Sequence, residues 1–571
     1  MTIPLLARDL GARGSRGQVA GPDPAGPIPR DAAAILAAVP GWWASLAGEA
    51  GLSGSWLDVS LAIDSAPPQA ALSAEPEPSI GAGTDAWALG AAYVAALSPQ
   101  VRARHGRHYT PANLANRLWT MTRRALSVTP RTARLPGLIR DRACGAGSLL
   151  LPPLREYVQT AARTDVEVAL AALPSVIEGI DADPNAVWLA NVVLAVEALP
   201  LLAAVPTSRR RPFHALARCG DGLEPCERPA RVELQNPPYG RVRLTQEERD
   251  RWGHVLYGHA NLYGLFVAAA VDGLGADGVL GALVPTSFTS GLYFSRLRET
   301  LSKQAPLREA AFVADRDGIF ANVLQETCLA VFTRRHARRT AITCLNGHVE
   351  NVAQVKSPRG SGPWLLPRRA DDAPAAAVAA TFTVRLADLG YRCSTGPLVW
   401  NRRKPDLTSD RVQGSLPIVW AADIDGGTLH RDKIRDGMRF VKLCDGDESV
   451  LVLAEPAVLV QRTTAPEQVR RLVVADLSPE ALQDWGGRLV VENHVNVLRP
   501  TVAKPLLNRN TLAAVLATDT LDRVTRSLAG SVAVSAYELE SLPFPDARTL
   551  VCWNSLSGAD LAQAVASAYR V

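Results

Sequence analysis

The eight cysteines, Cys144, Cys219, Cys226, Cys328, Cys344, Cys393, Cys444 and Cys552, form no CxxC pair and sit in no Cys/His array. Structural zinc is therefore not expected, and free thiols in a reducing cytoplasm are. The N-terminus lacks a charged segment followed by a continuous apolar core, so no signal peptide is expected. The most apolar stretch, Val187 to Val205, is interrupted by Asn191, Glu197 and Pro200. A buried helix is expected there, not a membrane span. The lysine of a GxxxxGK[ST] loop is missing, which excludes a P-loop, and no full GxGxxG supports a nicotinamide site. No Ser/His or Cys/His constellation marks a nucleophile. The first 95 residues hold no Asp/Glu/Lys cluster of the kind a magnesium nuclease needs. Charge of one sign is also scarce: 61 Lys and Arg against 56 Asp and Glu leave +5. A polyanionic partner is compatible with that balance but not required by it.

What is present is an ordinary folding composition, 47% apolar and 20% charged over 571 residues, enough for several domains. Residues 1–95 are rich in Ala, Gly and Pro, with helical stretches at Ala32 to Leu46 (interrupted at Pro40) and Ala86 to Leu97. The stretch Asp64 to Thr84 between them reads as a linker. From 96 to 340, short apolar runs alternate with longer helical segments. Runs at Leu138-Ile139, Val176 to Ile180, Val232 to Leu234 and Gly278 to Val284 each end in polar or Gly-containing turns. That order predicts an α/β domain with a mostly parallel sheet and a ligand site beyond the carboxyl ends of its strands. Residues 341–380, with the Pro/Gly/charge-rich stretch Ser357 to Ala377, read as a second linker. Residues 381–571 read as an α+β domain.

Four motifs fall at the predicted strand ends. In Asp141-Arg142-Ala143-Cys144-Gly145-Ala146-Gly147, glycines permit positive φ and close approach of backbone to a ligand; alone, this is equally a tight turn. In Gly179-Ile180-Asp181-Ala182-Asp183-Pro184, Asp181 is placed to accept both ribose hydroxyls of an adenosine ligand, while Asp183 is suited to cap a helix opening at Pro184. Gly220-Asp221-Gly222 is either a contact to an adenine amine or an Asp-Gly turn. Asn236-Pro237-Pro238-Tyr239 is the specific one. Two prolines stiffen the turn, and the Asn236 side chain with the Pro237 carbonyl offers two neutral acceptors to a planar –NH₂. Tyr239 adds a face on which a base can stack.

These residues together resemble the amino-methyltransferases of DNA, in the adenine-specific branch, such as the modification methylases of restriction–modification systems. His108-Tyr109-Thr110-Pro111, Asn261-Leu262-Tyr263, Val284-Pro285-Thr286-Ser287-Phe288 with Leu297-Arg298, and Gly318-Ile319-Phe320 resemble further elements of that family. So do Thr395 to Asn401 and Asn493 to Val497 in the C-terminal part, which extends the likeness over roughly residues 100–550. The resemblance implies a Rossmann-like methyltransferase domain at 96–340 and a target-recognition domain at 381–571. It implies S-adenosylmethionine as cofactor, held by Tyr109, Thr110, Pro111, Asp141, Ala143, Cys144, Gly145, Gly147, Asp181 and Asp221. Asn236 to Tyr239 would be catalytic, Tyr239 and Phe320 would sandwich the target base, and no metal would be needed.

Double-stranded DNA is then the partner, with a separately encoded cognate endonuclease, and cleavage by this chain alone is not expected. Arg402, Arg403, Lys404 and Arg462 are candidates for DNA contact, with surface charge as the alternative for each. Two positions depart from the family pattern, Arg142 for Pro and Ala146 for Ser or Thr. Both are expected to lie harmlessly in the loop backbone. Gly222, where a bulky residue often flanks the cofactor adenine, weakens the case for Asp221. N4 of cytosine, a protein glutamine amide and a non-catalytic specificity subunit remain alternatives. The local chemistry of a planar amine does not separate the first two from adenine.

Overall fold

The computed structural model describes residues 28–81, 83–105, 109–126, 137–161, 165–313, 326–464, 468–529 and 533–571. Its first strands, β1 (Ile139–Asp141), β2 (Ile177–Asp181), β3 (Ala217–Cys219) and β4 (Ala230–Gln235), run parallel. β5 (Arg241–Val242) and β6 (Ala260–Asn261) form a small separate ribbon. β7 (Leu274–Pro285), β8 (Leu307–Val313), β9 (Thr327–Thr333), β10 (Arg339–Asn346) and β11 (His348–Lys356) complete a nine-stranded sheet in the order β11-β10-β8-β9-β7-β4-β1-β2-β3. β7 is parallel to β4, and β9 is antiparallel to both β7 and β8. The strands at the centre are buried on both faces and read as continuous apolar runs for that reason. The fold is α/β and mostly parallel.

The N-terminal helices are part of this core. α1 (Arg30–Glu49), α2 (Val59–Ile63), α3 (Gln69–Leu72) and α4 (Ala86–Ala96) share one buried cluster with helices Ala112–Ala125, Leu151–Ala161 and Pro184–Ala204 and with the sheet. Here α5 is Pro99–His105, α6 is Ala112–Ala125, α7 is Leu151–Ala161, α8 is Val166–Val176 and α9 is Pro184–Ala204. α1 runs through Pro40 without the expected break; Trp42 and Trp43, both buried, follow the proline and anchor the second half. Nor is 64–84 a free linker: Trp42 donates from its indole to the Thr84 carbonyl at 2.7 Å, and the Glu77 amide to Ala34 at 3.0 Å. α9 is the expected buried helix, with 78% of its most apolar window inside the protein.

The stretch 341–380, expected as a linker, instead carries most of β10 and all of β11. β11 is an edge strand with only Val352 and Val355 buried among polar residues, so its apolar signal is weak. Farther on, Tyr391–Thr395, Val495–Pro500, Ala457–Gln461 and Val474–Leu477 form an antiparallel sheet, backed by helices Arg509–Leu516, Asp519–Leu528 and Gly558–Ala568. A second, mixed sheet of five short strands lies between 407 and 491.

The two halves are joined by buried polar contacts. Arg298, fully buried, donates to the carbonyls of Phe288, Gly291, Ser361 and Gly362 in the sheet half and reaches the Tyr537 hydroxyl of the C-terminal half at 3.4 Å. Trp364 and Leu366 follow, their amides bonded to Thr289 and Ser527 at 2.8 and 2.7 Å. Arg368 pairs with Glu326 at 3.1 Å and donates to the Arg526 carbonyl.

Candidate active site

The order of the sheet reverses at β1, with β2 on one side and β4 on the other, so a crevice opens at the carboxyl ends of β1 and β4. The Gly-containing loop leaves β1 there. Asp141 is buried and accepts from the Ala143 amide at 3.0 Å, while the Cys144 amide reaches across to the Ile180 carbonyl of β2. Burial drives the Asp141 carboxyl well above the usual range, and the neighbouring carboxylates of Asp181 and Glu233 add to it. Gly145 and Gly147 hold φ of +50° and +83°, where a side chain would be strained. A Cβ on Gly145 would meet nothing within 4 Å, so the loop presents bare backbone to open space.

Asp181 lies across from this loop. One carboxylate oxygen accepts from the Gly145 amide at 2.8 Å and the other from the Asp183 amide at 2.9 Å. Asp183 caps α9 by accepting from the Asn185 amide and also receives the Tyr93 hydroxyl at 3.0 Å. The N-terminal region thus reaches the site: Tyr93 stands on α4, and the Tyr109 ring lies so close to Gly90 of α4 that a Cβ there would fall 2.6 Å from it. Tyr109 carries a buried hydroxyl with no hydrogen-bond partner among the described residues. Cys144 is a small buried side chain packed against Gly179.

At the end of β4, Asn236 is held at both ends of its amide. Nδ2 donates to the Thr110 hydroxyl at 3.0 Å, and Oδ1 accepts from the Tyr239 hydroxyl at 2.8 Å. Thr110 is 2% exposed. Tyr239 is half-buried, edge-on to Tyr263 with ring centres 6.2 Å apart, and its hydroxyl also lies 3.2 Å from the Leu283 carbonyl. Burial raises its phenol, which stays a donor. Phe320 and His108 lie outside the described residues.

Residues 235–320 match the Eco57I restriction-modification methylase family. The chain is 26% identical over 337 residues to the Type II methyltransferase M.PstI of Providencia stuartii, covering 55% of this chain and 64% of that protein. It is 23% identical over 332 residues to the Type II methyltransferase M.BsuBI of Bacillus subtilis, covering 56% and 66%. The match therefore spans slightly under two thirds of either relative. Among solved structures, the Type IIL restriction-modification enzyme MmeI in complex with DNA aligns over 86% of this chain and 80% of that one, at 12% identity and a TM-score of 0.47. The type IIG restriction endonuclease BpuSI aligns over 95% and 72%, at 13% identity and a TM-score of 0.44.

In the loop after β1, Arg142 does more than take its place in the backbone. It is no bystander in the loop. Its guanidinium is buried, donates to Glu233 of β4 at 3.2 Å, and donates to the carbonyls of Gly222 and Glu224 at 3.1 and 3.0 Å. Arg140 shares the same Glu233 oxygen at 3.2 Å and also binds Glu178. Burial pushes Glu233 up to about 7 against the pull of both arginines. Gly222 is required by this docking, since a Cβ there would lie 2.0 Å from the Arg142 carbonyl. Asp221 is exposed and accepts from the Leu223 amide at 2.9 Å, so the Asp-Gly turn exists whatever else Asp221 does. The sequence signal for this network was a charged residue, Glu233, flanked by the apolar Val232 and Leu234 in a strand.

Beyond the methylase segment, the four candidate DNA contacts separate. Arg403 is committed internally, to Asp406 at 2.6 Å and Asp447 at 2.8 Å, and those partners raise its pKa. Arg462 donates to the Asn493 carbonyl at 3.1 Å and braces that loop. Lys404 lies over the Trp400 ring at 5.4 Å, exposed. Arg402 is exposed and makes no ion pair among the described residues. His494, not singled out from sequence, is held by the buried Glu492 at 2.7 Å and remains 46% exposed.

Proposed function

We propose that this chain is a site-specific DNA methyltransferase that transfers a methyl group from S-adenosylmethionine to N6 of an adenine turned out of duplex DNA. In a restriction–modification system it would protect DNA against a separately encoded endonuclease. The observation that carries the reading is Asn236, fixed by Thr110 at the end of β4, on the same carboxyl edge of the sheet as the bare Gly145 backbone after β1 and Asp181 at the end of β2. The restriction-modification methylase match over 235–320 supports it.

The residues fit the cofactor. A loop with unfilled space over Gly145 and a carboxylate two strands' width from the Asn236 turn suit a nucleoside with vicinal hydroxyls. Asp141 to Gly147 and Asp181 would hold it, with Tyr109 and Pro111 at its methionine end. When bound, it supplies an activated sulfonium methyl group.

The protein then has to place the nucleophile. Asn236 Oδ1 and the Pro237 carbonyl accept the two hydrogens of the adenine amine, which aims the nitrogen lone pair and stabilises the positive charge that grows on it. Pro237 and Pro238 lack amide hydrogens and keep the turn stiff. The half-buried Tyr239 offers a stacking face that offsets part of the few kcal/mol spent on turning the base out. Positioning of this kind supplies much of the rate.

Long-read sequencing of DNA from cells expressing the chain reports base and site together. N6-methyladenine at a fixed sequence is expected, and Asn236→Ala abolishes it while leaving S-adenosylmethionine binding nearly intact. N4-methylcytosine would replace adenine as target, and label on protein alone in a tritiated-methyl assay would overturn the reading.

A further inference from the structure

We propose that Thr110 is a positioning residue for Asn236, fixing the place and rotation of its amide at the target base; this rests on the function proposed above. The sequence reading placed Thr110 with the cofactor. In the structure its hydroxyl takes the Asn236 Nδ2 hydrogen at 3.0 Å, and Thr110 is 2% exposed.

An asparagine amide has an acceptor end and a donor end of nearly the same size. Only Oδ1 serves an incoming –NH₂; Nδ2 in its place would set donor against donor. With Nδ2 engaged by Thr110, Oδ1 is left on the opposite side, where it now receives the Tyr239 hydroxyl at 2.8 Å. The target amine takes up acceptor capacity of that same oxygen. The Thr110 bond also polarises the amide, which strengthens Oδ1 as an acceptor while charge develops on the amine.

Thr110 owes its place to a close helix–sheet contact. It precedes α6, which packs on β7 over Gly281: a Cβ at Gly281 would lie 2.5 Å from Thr122 Oγ1 and 3.2 Å from Leu118, both on α6. β7 is hydrogen-bonded to β4, the strand that delivers Asn236, so helix, sheet and turn fix the Thr110–Asn236 distance together. The segment before α6 thereby acts on the chemistry through one side chain.

The test compares purified Thr110→Val and Thr110→Ser with the unaltered protein on a duplex carrying the recognised site. Measured are kcat, KM for DNA, S-adenosylmethionine affinity by calorimetry, and base turning by fluorescence of 2-aminopurine at the target position. For Thr110→Val, kcat falls roughly 10- to 100-fold, while cofactor affinity, KM for DNA and the 2-aminopurine signal stay within about twofold. Thr110→Ser, which keeps the hydroxyl, restores kcat to within a few-fold. Cofactor affinity that falls in step with kcat would return Thr110 to the cofactor and overturn the proposal, as would an unchanged kcat. Should Thr110→Val not fold, Thr110→Ala is read against Thr110→Ser by the same measures. If the unaltered protein neither binds S-adenosylmethionine nor methylates DNA, it is the proposed function that fails.

Discussion

Replacing Arg142 by alanine is the most informative single change to the structure. Arg142 gives one hydrogen bond to the Glu233 carboxylate and two to the carbonyls of Gly222 and Glu224, all inside the protein. Its removal leaves Glu233 with Arg140 alone on Oε1; Oε2 already has no partner among the described residues. Above pH 7, where Glu233 is ionised, breaking one side of a buried ion pair typically costs about 3–5 kcal/mol. Each stranded carbonyl adds to that, less whatever water enters the gap. A loss of about 4 kcal/mol is expected, a fall of roughly a thousandfold in the folding constant. Urea denaturation followed by tryptophan fluorescence measures it. Calorimetry on the same variant measures S-adenosylmethionine affinity, which should fall because the Asp141 and Asp221 loops lose their tie. Glu233→Gln, which keeps shape and one acceptor, should lose less. A loss under about 1 kcal/mol for Arg142→Ala, with cofactor affinity unchanged, would refute the role given to this network.

Glu233 makes a pH prediction. Its carboxyl keeps a proton up to about 7 in the folded protein, against roughly 4.5 when unfolded. The folded state binds more protons in that window, so stability is fully present below about 4.5 and is lost as pH rises towards 7, by up to about 3 kcal/mol; Glu233→Gln should flatten the slope in denaturant titrations. Gly222→Ala pushes a methyl against the Arg142 carbonyl and should cost about 1–3 kcal/mol and weaken cofactor binding, whereas an unaltered melting curve would contradict the docking of these loops. Arg402→Ala should weaken DNA binding and lower the salt slope by about 1 without changing Tm. Arg403→Ala should lower Tm, because it removes the Asp406 and Asp447 pairs; the reverse pattern would exchange their roles.

The strands that end in motifs were legible because their sequence carries both a buried run and the turn that stops it. β1, β2, β4 and β7 fall where apolar runs meet Asp141, Asp181, Asn236 and Pro285. Asp183 at the start of α9 was legible for the same local reason, a capping carboxylate followed by Pro184. What escaped was non-local. Nothing near Pro40 announces that Trp42 and Trp43 will hold a helix together from the far side. β11 escaped because an edge strand with two buried valines looks like a charged loop. Arg142 was readable only as a departure from a pattern; its partners lie at 222, 224 and 233, and no spacing connects them. Thr110 was assigned by its neighbours in sequence, while its hydrogen bond is with a residue 126 positions away.

The joint around Arg298 has a consequence for the proposed enzyme. One guanidinium gathers four carbonyls of the sheet half and the Tyr537 hydroxyl, and beyond it Leu366 and Arg368 bond the carbonyls of Ser527 and Arg526. Opening this joint would strand several buried donors and carbonyls at once. The distance from the Asn236 turn to the surface that would read the sequence becomes a ruler built into the chain. Changes on that surface would alter which bases are read, but not how many base pairs separate them from the one that is methylated. New recognition sequences would therefore arise around a constant offset.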